Sequence, residues 1–438
     1  MMKICVIGGG ISGIATAYYL NKAGFSVDLY EEAPVIGGRI GSECLEGRWL
    51  DFGGKNIGRK YRRFRSFVKE CGDFPFEYFG FNTSQVIDGK VVRLARENRK
   101  LSDFLGFLKL AGLGGASLLY PWVRAVMKDN AQGMLRTSFF NDVAERLDDA
   151  SLADCFSPRC ANHLIRPVTV RMNGAEPDEC YPGNFGTNLA LVLDSYEQLK
   201  GGMHQLIETF VAASSAMLAI RTGHRVTSLS RCDSGQGVDV AYTCKGLGGT
   251  VSYKRVITAL PATQLSALIR SSLPDAAEIL DRVRYYPVSV ALASYRDDVF
   301  SKDHRAMVFD RTSSLSNAGA YGIHDLDLVR YTFSGKAART QISPESKAED
   351  VILEAEKKVS PFFSVEENTR TAMLYKYLSP GLCAYSPFHQ RLFSELQDKL
   401  ASFSGLYVTG DFRRGASIEA CFAAAEETVQ YFMTGEVF

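Results

Sequence analysis

The first forty residues constrain the fold of this chain more than any other stretch. A short apolar run at residues 4–7 is followed by Gly8, Gly10 and Gly13. These glycines suit a tight turn, close backbone approach to a pyrophosphate, and close packing of the following helix on the strand. A second apolar run ends at Glu31. This order predicts a β-α-β unit that binds a dinucleotide.

Glu31 narrows the choice of dinucleotide. A carboxylate at the end of the second strand accepts hydrogen bonds from ribose hydroxyls and repels a 2′-phosphate, which argues against an NADP-type ligand. The free N–H groups at the start of the helix offer a complementary site for the pyrophosphate. The pattern alone leaves NAD and FAD equally open.

Bulk composition excludes several classes of partner. A chain of 438 residues exceeds the size at which single cores stop growing, so two domains are expected. The 50 basic and 49 acidic side chains nearly cancel, so no nucleic acid partner is predicted. The 10 cysteines form no C-x-x-C pair, which favours a reducing, cytoplasmic location without a structural metal site.

One apolar stretch, residues 105–123, is a candidate for membrane contact. Lys109 interrupts it, and only 14 residues separate Lys109 from Arg124, which is too short to cross a bilayer. The start of the chain also lacks the architecture of a signal peptide. We therefore expect no transmembrane segment and predict a buried or substrate-lining helix, with peripheral membrane contact left open.

The rest of the chain alternates between helical and strand patterns without repeats. Asp88-Gly89 between two apolar runs predicts a hairpin over residues 84–94. A mostly helical block follows, with helices predicted over residues 101–128 and 138–147. Three strands are predicted over residues 225–230, 237–243 and 250–258. Near the end, a strand over residues 406–409 stops at Gly410-Asp411 before a long helix, which places Asp411 where α/β sheets meet ligand hydroxyls.

Four further motifs give the chain a recognisable family resemblance. They are G-G-R at residues 37–39, G-G-M at 201–203, A-L-P at 259–261 and T-G-D at 409–411. Together with the first glycine turn and Glu31, they resemble the flavin-containing amine oxidase superfamily, which includes monoamine and amino-acid oxidases, protoporphyrinogen oxidase and the phytoene desaturases. The resemblance implies that FAD is the cofactor and that a small molecule is the substrate.

The resemblance also implies roles for individual residues. Those implied to hold the cofactor are Gly8, Gly10, Gly13, Gly38 and Arg39 at the pyrophosphate, Glu31 at the adenosine ribose, Val226 at the adenine edge through its backbone, Asp411 at the ribityl or pyrophosphate region, and Ile418 beneath the isoalloxazine.

The departures from the family pattern concern the substrate side. Amine oxidases commonly place a lysine opposite flavin N5, and this chain offers Val290. Tyr375 and Tyr377 stand in the neighbourhood of the usual aromatic-cage tryptophan, and Lys55 follows the D-x-G motif where L-amino-acid oxidases carry an arginine. These differences weaken the amine oxidase subgroup.

Several functional hypotheses follow. The first is hydride removal from a C–H of a small apolar or aromatic substrate to flavin N5, forming C=C or C=N, with O2 as acceptor. The second is an amine or amino-acid oxidase in which Lys55 positions water. A third, of another class, is a non-redox flavoenzyme similar to UDP-galactopyranose mutase. Tyr375 and Tyr377 are predicted pocket walls, and Arg413 or its neighbour is predicted to clamp a substrate carboxylate.

The predicted fold class is α/β. A Rossmann-like FAD-binding domain of the GR2 type is expected from residues 1–80, 195–280 and 390–438. It is interleaved with a substrate domain of mixed sheet and helices from residues 81–194 and 281–389. The oligomeric state is left open.

Overall fold

A computed structural model of the chain describes residues 2–78, 82–88, 90–95, 101–214, 217–233, 235, 237–366 and 368–435. The strands are β1 (Lys3–Ile7), β2 (Ser26–Tyr30), β3 (Ser42–Leu45), β4 (Arg48–Asp51), β5 (Ile57–Gly58), β6 (Phe76–Tyr78), β7 (Asn82–Ile87), β8 (Lys90–Ala95), β9 (Tyr196–Leu199), β10 (Leu218–Arg221), β11 (His224–Arg231), β12 (Val238–Cys244), β13 (Leu247–Tyr253), β14 (Val256–Thr258), β15 (Tyr285–Tyr295), β16 (Ala306–Val308), β17 (Leu315–Ala320), β18 (Leu328–Phe333), β19 (Arg370–Cys383) and β20 (Leu406–Val408).

The helices are distributed along the whole described chain. They are α1 (Ile11–Lys22), α2 (Arg63–Cys71), α3 (Leu101–Lys128), α4 (Ser138–Arg146), α5 (Leu152–Cys155), α6 (Pro158–Cys160), α7 (Arg166–Asn173), α8 (Phe185–Val192), α9 (Gly202–Ala212), α10 (Ala262–Ile269), α11 (Pro274–Asp281), α12 (Lys336–Gln341), α13 (Ala348–Val359), α14 (His389–Ala401), α15 (Asp411–Arg414) and α16 (Ile418–Thr434). The predicted α/β class is confirmed.

A five-stranded parallel sheet contains the predicted β-α-β unit. Its strand order is β10-β2-β1-β14-β20, so its strands come from the beginning, the middle and the end of the chain. On β1, Cys5 is opposite Asp28 of β2 and Val256 of β14. Helices α1 and α16 pack together, with buried side chains such as Leu20 and Phe422 in one apolar cluster. Burial of such side chains stabilises the fold by about 2 kcal/mol each.

The strand predicted over residues 250–258 is two strands. Strand β13 pairs antiparallel with β12 in a separate three-stranded sheet, and β14 pairs parallel with β1 in the five-stranded sheet. Tyr253 closes β13 and donates a hydrogen bond to Asp28 of β2 over 2.7 Å. Lys254 and Arg255 separate the two strands, and this interruption of the apolar run was the sequence signal of the junction.

A seven-stranded sheet, β19-β15-β18-β17-β16-β7-β8, forms the other large layer. The predicted hairpin is confirmed as the β7–β8 pair, in which Ile87 is opposite Lys90. One face of this sheet packs against α13 through an apolar cluster that includes Ile352 and Tyr331. The opposite face looks toward the helical block α3–α8, and the space between them is the principal cavity.

The helical block confirms the helices predicted over residues 101–128 and 138–147. Helix α3 is broken at Gly112, whose φ of 68° lies in the left-handed region that favours glycine. Its Trp122 lies among Phe140, Phe156 and Phe185, with ring centroids 6.0 to 6.1 Å apart. In the described residues, no helix combines the length and apolar character needed to cross a membrane. The domain boundaries given above stay a prediction.

Candidate cofactor and substrate site

The glycine turn joins β1 to α1 with little room for side chains except over Gly10. Gly8 has a φ of 99°, and a Cβ on Gly13 would lie only 1.8 Å from the Gly8 carbonyl oxygen. A Cβ on Gly10 would have no heavy atom within 4 Å, so the protein leaves open space over this residue. Glycine at these positions therefore allows the helix to pack on the strand and leaves an uncovered backbone surface that fits a pyrophosphate.

Glu31 lies beside this turn at the end of β2. Its Oε2 accepts a hydrogen bond from the N–H of Gly9 over 2.6 Å, and its Oε1 accepts one from the N–H of Ala33 over 2.8 Å. Each carboxylate oxygen retains a further lone pair for a ligand hydroxyl. The N–H of His224 on β11 donates to the Glu31 carbonyl over 2.9 Å, which brings Val226 and the β-bulge beside it to the same edge.

The G-G-R motif folds back over the first turn. Gly37 donates its N–H to the Gly9 carbonyl over 2.8 Å, and a Cβ on Gly38 would lie 3.1 Å from the Cα of Gly10. Arg39 donates from Nη1 to Asp411 Oδ2 over 2.8 Å and to the Gly381 carbonyl over 2.7 Å. The two glycine turns and the terminal motif therefore meet in one place.

Asp411 and Ile418 come from the end of the chain. Asp411 follows β20 and also accepts a hydrogen bond from the Tyr285 hydroxyl over 2.6 Å. Ile418 begins α16 below Gly54, where a Cβ would lie 3.8 Å from Ile418 Cδ1. The Ser417 hydroxyl caps this helix by accepting from the N–H of Ala420 over 3.1 Å. The residues predicted to hold the cofactor thus lie along one path from the first glycine turn to the principal cavity.

The principal cavity has a volume of about 540 Å³. One face of the seven-stranded sheet forms its floor. Val290 of β15 and Thr332 of β18, which lie opposite each other on neighbouring strands, belong to this face. Its opposite wall comes from α7 and α8, and Leu119 of α3 closes one side. Arg39, Gly54 and Ile418 form part of the lining, so the cavity is continuous with the predicted cofactor residues.

The charged lining of this cavity is entirely basic. Among the described residues that line it, aspartate and glutamate are absent, and the ionisable basic side chains are Arg39, Lys55, His163, Arg171, Arg305 and Arg330. Arg39 is neutralised by Asp411, whereas the acceptors of Arg330 are the carbonyl oxygens of Asp51, Phe52 and Gly53 at 2.8, 2.9 and 3.2 Å. Among the described residues, the lining itself therefore supplies positive charge and no carboxylate.

Arg171 of α7 and Arg330 of β18 are close enough to affect each other. Burial lowers the pKa of Arg171. Burial also lowers the pKa of Arg330; Tyr321 and Asp51 oppose this effect and Arg171 adds to it. In the described part of the chain, no hydrogen bond or ion pair engages the Arg171 guanidinium. Two such groups facing one cavity provide a strong site for an anion.

Lys55 is buried at the edge of the same cavity. Its Nζ donates to Gln198 Oε1 over 2.7 Å and to the Tyr321 carbonyl over 2.6 Å. Burial, assisted by Arg330, lowers the pKa of Lys55 to about 7. Both acceptors are uncharged, so a neutral amine makes the same two hydrogen bonds through N–H donors. Lys55 can therefore change protonation state near neutral pH without losing its position.

The structure places Tyr375 and Tyr377 away from the cavity. On β19 they lie opposite Ala291 and Ser289, on the sheet face that packs against α13, and the Tyr375 hydroxyl donates to Ser289 Oγ over 3.1 Å. The neighbouring cavity residue is Leu378, opposite Val288. Successive strand residues point to opposite faces, so the expectation of pocket walls at Tyr375 and Tyr377 is one residue out of phase.

Arg413 also lies outside the cavity, contrary to the expectation that it reaches a substrate. Its guanidinium is buried, donates to the Val408 carbonyl over 2.9 Å and pairs with Glu427 at 3.2 Å. Arg414 pairs with the same carboxylate at 2.6 Å. Burial would raise the pKa of Glu427, but the two arginines together lower it to about 2. Both arginines thus anchor α15 to α16.

Comparison with known proteins assigns the chain to a family. The family model described as flavin containing amine oxidoreductase matches residues 11–431. The chain belongs to this family. It is therefore a flavin oxidoreductase, and the predicted cofactor, FAD, is confirmed together with the family resemblance.

The relatives described next share little sequence identity with this amine oxidoreductase but match it over 69% or more of its length. Coproporphyrinogen III oxidase from Mycobacterium leprae (strain TN) is 23% identical over 97% of both chains. Flavin-dependent L-tryptophan oxidase RebO from Lentzea aerocolonigenes is 25% identical over 69% of this chain and 67% of its own length. The solved structure of cyclohexylamine oxidase from Brevibacterium oxydans IH-35A superposes with a TM-score of 0.73 at 16% identity, covering 99% of both chains, and shows that the fold is shared.

The basic cavity residues that the sequence analysis did not single out are His163, Arg171, Arg305 and Arg330. Arg330 stands inside the apolar strand β18, L-V-R-Y-T-F, and an arginine in such a run is a detectable signal of a buried charge. Arg171 and Arg305 lie in less distinctive surroundings. Nothing in their local sequence indicated that the fold brings them to the same space.

Proposed function

We propose that this amine oxidoreductase family member removes a hydride from a C–H bond of an apolar or aromatic substrate that carries at least one carboxylate. The observation that supports this proposal is the basic lining of the cavity, which includes no aspartate or glutamate among the residues that the structure describes. Dehydrogenation would create a C=C or C=N bond. O2 as the final electron acceptor stays a prediction.

The electrostatic argument rests on Arg171 and Arg330. Both face a space partly shielded from water. Among the described residues neither guanidinium forms a close ion pair with a carboxylate, although Asp51 favours the charge of Arg330 electrostatically. Holding two like charges in such a place is unfavourable unless an anion joins them. A substrate carboxylate would neutralise them through charge-assisted hydrogen bonds, which are about twice as strong as neutral ones.

The remaining lining residues favour a substrate that is mostly apolar. The apolar side chains that line the cavity include Leu119, Leu164, Ile165, Val168, Phe185, Leu189, Val288, Val290, Val308, Leu378 and Leu382. An apolar surface with a few polar groups at fixed points is typical of small-molecule sites. The combination suits a ring system or hydrocarbon skeleton with an acidic substituent.

FAD, when bound, would supply the two-electron acceptor for the hydride, a function that side chains lack. The residues of this chain would hold it through the open backbone at Gly10, the carboxylate of Glu31 and the Arg39–Asp411 pair. As the double bond forms, the neighbouring C–H or N–H loses a proton. Lys55, neutral above about pH 7, is positioned to accept this proton directly or through water.

This electrostatic pattern discriminates among the alternatives. A simple amine enters as an ammonium ion, which the basic lining repels, whereas an amino acid brings a carboxylate that the lining attracts. An amino-acid oxidase therefore remains the second candidate. Membership of a family of oxidoreductases removes the reason to pursue a non-redox flavoenzyme.

The experiment uses matched compounds that differ in the carboxylate. The purified holoenzyme is mixed anaerobically with L-tryptophan and with tryptamine, and with coproporphyrinogen III and its tetramethyl ester, while flavin absorbance is followed. The named substrates of the two relatives motivate the choice. We expect bleaching by at least one free acid and at least tenfold slower bleaching by its partner. Faster reduction by the carboxylate-free compound would refute the proposal.

A further inference from the structure

We propose that the outer face of α3 docks on the surface of an anionic lipid bilayer. This face, called the α3 face below, consists of Leu113, Tyr120, Arg124, Met127 and Lys128, which all follow the break at Gly112. The proposal is independent of the substrate assigned above, because it rests only on exposure and charge.

The apolar members of the α3 face are exposed to an unusual degree. Leu113 is 90% exposed, Tyr120 is 65% exposed and Met127 is 64% exposed. They recur every seven residues, so they lie on one side of a helix, which shifts by only about 20° over that interval. Single exposed apolar side chains are ordinary, but an aligned leucine, tyrosine and methionine form a continuous apolar stripe.

The inner face of the same helix is firmly packed, so the stripe is not explained by a loosely placed element. Leu110, Leu119, Trp122 and Val126 are buried, and a Cβ on Gly115 would meet Cys160 Sγ at 3.4 Å. Leu119 lines the principal cavity. The helix thus separates the cavity from the α3 face by its own thickness.

The charges on the α3 face select an anionic surface as its occupant. Arg124 and Lys128 lie beside the apolar stripe, and from residue 104 to 128 the sequence contains no acidic residue. Lys109 adds a third exposed cation before the break at Gly112. Tyrosine and leucine beside lysine and arginine are typical of helices that lie in the headgroup region of membranes.

The test is sedimentation of the holoenzyme with vesicles. Vesicles of equal parts phosphatidylcholine and phosphatidylglycerol are compared with vesicles of phosphatidylcholine alone. We expect binding to the anionic vesicles, at least tenfold weaker in the double variant Leu113→Gln/Tyr120→Gln and weakened by salt in the unchanged protein. Leu353→Gln on α13, where the leucine is 41% exposed, is the matched control and should bind normally.

Three results would overturn the proposal. They are failure of the unchanged holoenzyme to sediment with anionic vesicles, equal binding by the double variant, and a concentration-dependent dimer that the double variant loses. The last result would assign the α3 face to a second copy of the chain. Retention of FAD and an unchanged melting temperature establish that the double variant is folded, and Arg124→Gln/Lys128→Gln tests the charges separately if it is not.

Discussion

Arg39 donates a hydrogen bond to Asp411 over 2.8 Å although the two residues are 372 positions apart in the chain. Asp411 also accepts from Tyr285, and Arg39 also donates to the Gly381 carbonyl. One ion pair therefore connects the glycine turns at the start of the chain with the strand that precedes α16. This connection brings together the two ends of the predicted FAD site.

Removing the Asp411 carboxylate should weaken FAD retention. Asp411→Ala leaves Arg39 without its charged partner and Tyr285 without its acceptor, so the geometry of the G-G-R turn is no longer fixed. We expect the dissociation constant of FAD to rise at least tenfold, measured by the FAD-to-protein ratio after gel filtration. Asp275→Ala removes an exposed aspartate on α11 and should leave this ratio unchanged. Equal loss in both variants would refute the assignment.

Lys55 should give kcat/KM a dependence on pH near neutrality. Its pKa in the folded chain is lowered to about 7, so the amine is charged below this pH and neutral above it. If the neutral amine accepts the proton, kcat/KM rises through about pH 7 and then levels off. Lys55→Arg stays charged and should lose this rise, whereas Lys399→Arg on the surface should keep it. If kcat/KM of Lys55→Arg rises with pH and has the same midpoint pH, Lys55 is not the proton acceptor.

Arg171 should contribute to binding of an acidic substrate. Arg171→Gln removes one of the two adjacent guanidinium groups, and we expect kcat/KM for a carboxylate substrate to fall by about ten- to a hundredfold. The corresponding ester should be affected much less. Arg282→Gln changes an exposed arginine paired with Glu395 and serves as the control. A uniform loss for acid and ester alike would indicate a structural role instead.

Arg413 should affect stability and not turnover. It is buried against Glu427 and the Val408 carbonyl, so Arg413→Met leaves part of the Glu427 charge uncompensated. We expect the free energy of unfolding to fall by about 3–5 kcal/mol in urea titrations, with turnover per bound FAD unchanged. The double variant Arg413→Met/Glu427→Leu should recover part of the loss. A lower turnover per FAD without destabilisation would return Arg413 to the substrate site.

Structural features that depend on residues close together in the sequence could be predicted from it. Gly8 to Gly13 form a turn whose demands are local, and the T-G-D motif before α16 is equally local. The placement of Tyr375 and Tyr377 failed because the face of a strand depends on what packs on each side, and β19 shows no clear alternation of burial. The presence of Arg171 and Arg330 in one cavity depends on a helix meeting a distant strand, which residue spacing does not encode.

The position of β20 at the edge of the five-stranded sheet has a consequence for biosynthesis. Strand β14 leaves the ribosome roughly 150 residues before its partner β20, a delay of about 7 to 30 seconds at ordinary translation rates. During that interval β14 presents an unpaired edge, which is a template for pairing with other chains. Until β20 is synthesised, this edge stays open to such pairing unless neighbouring helices cover it.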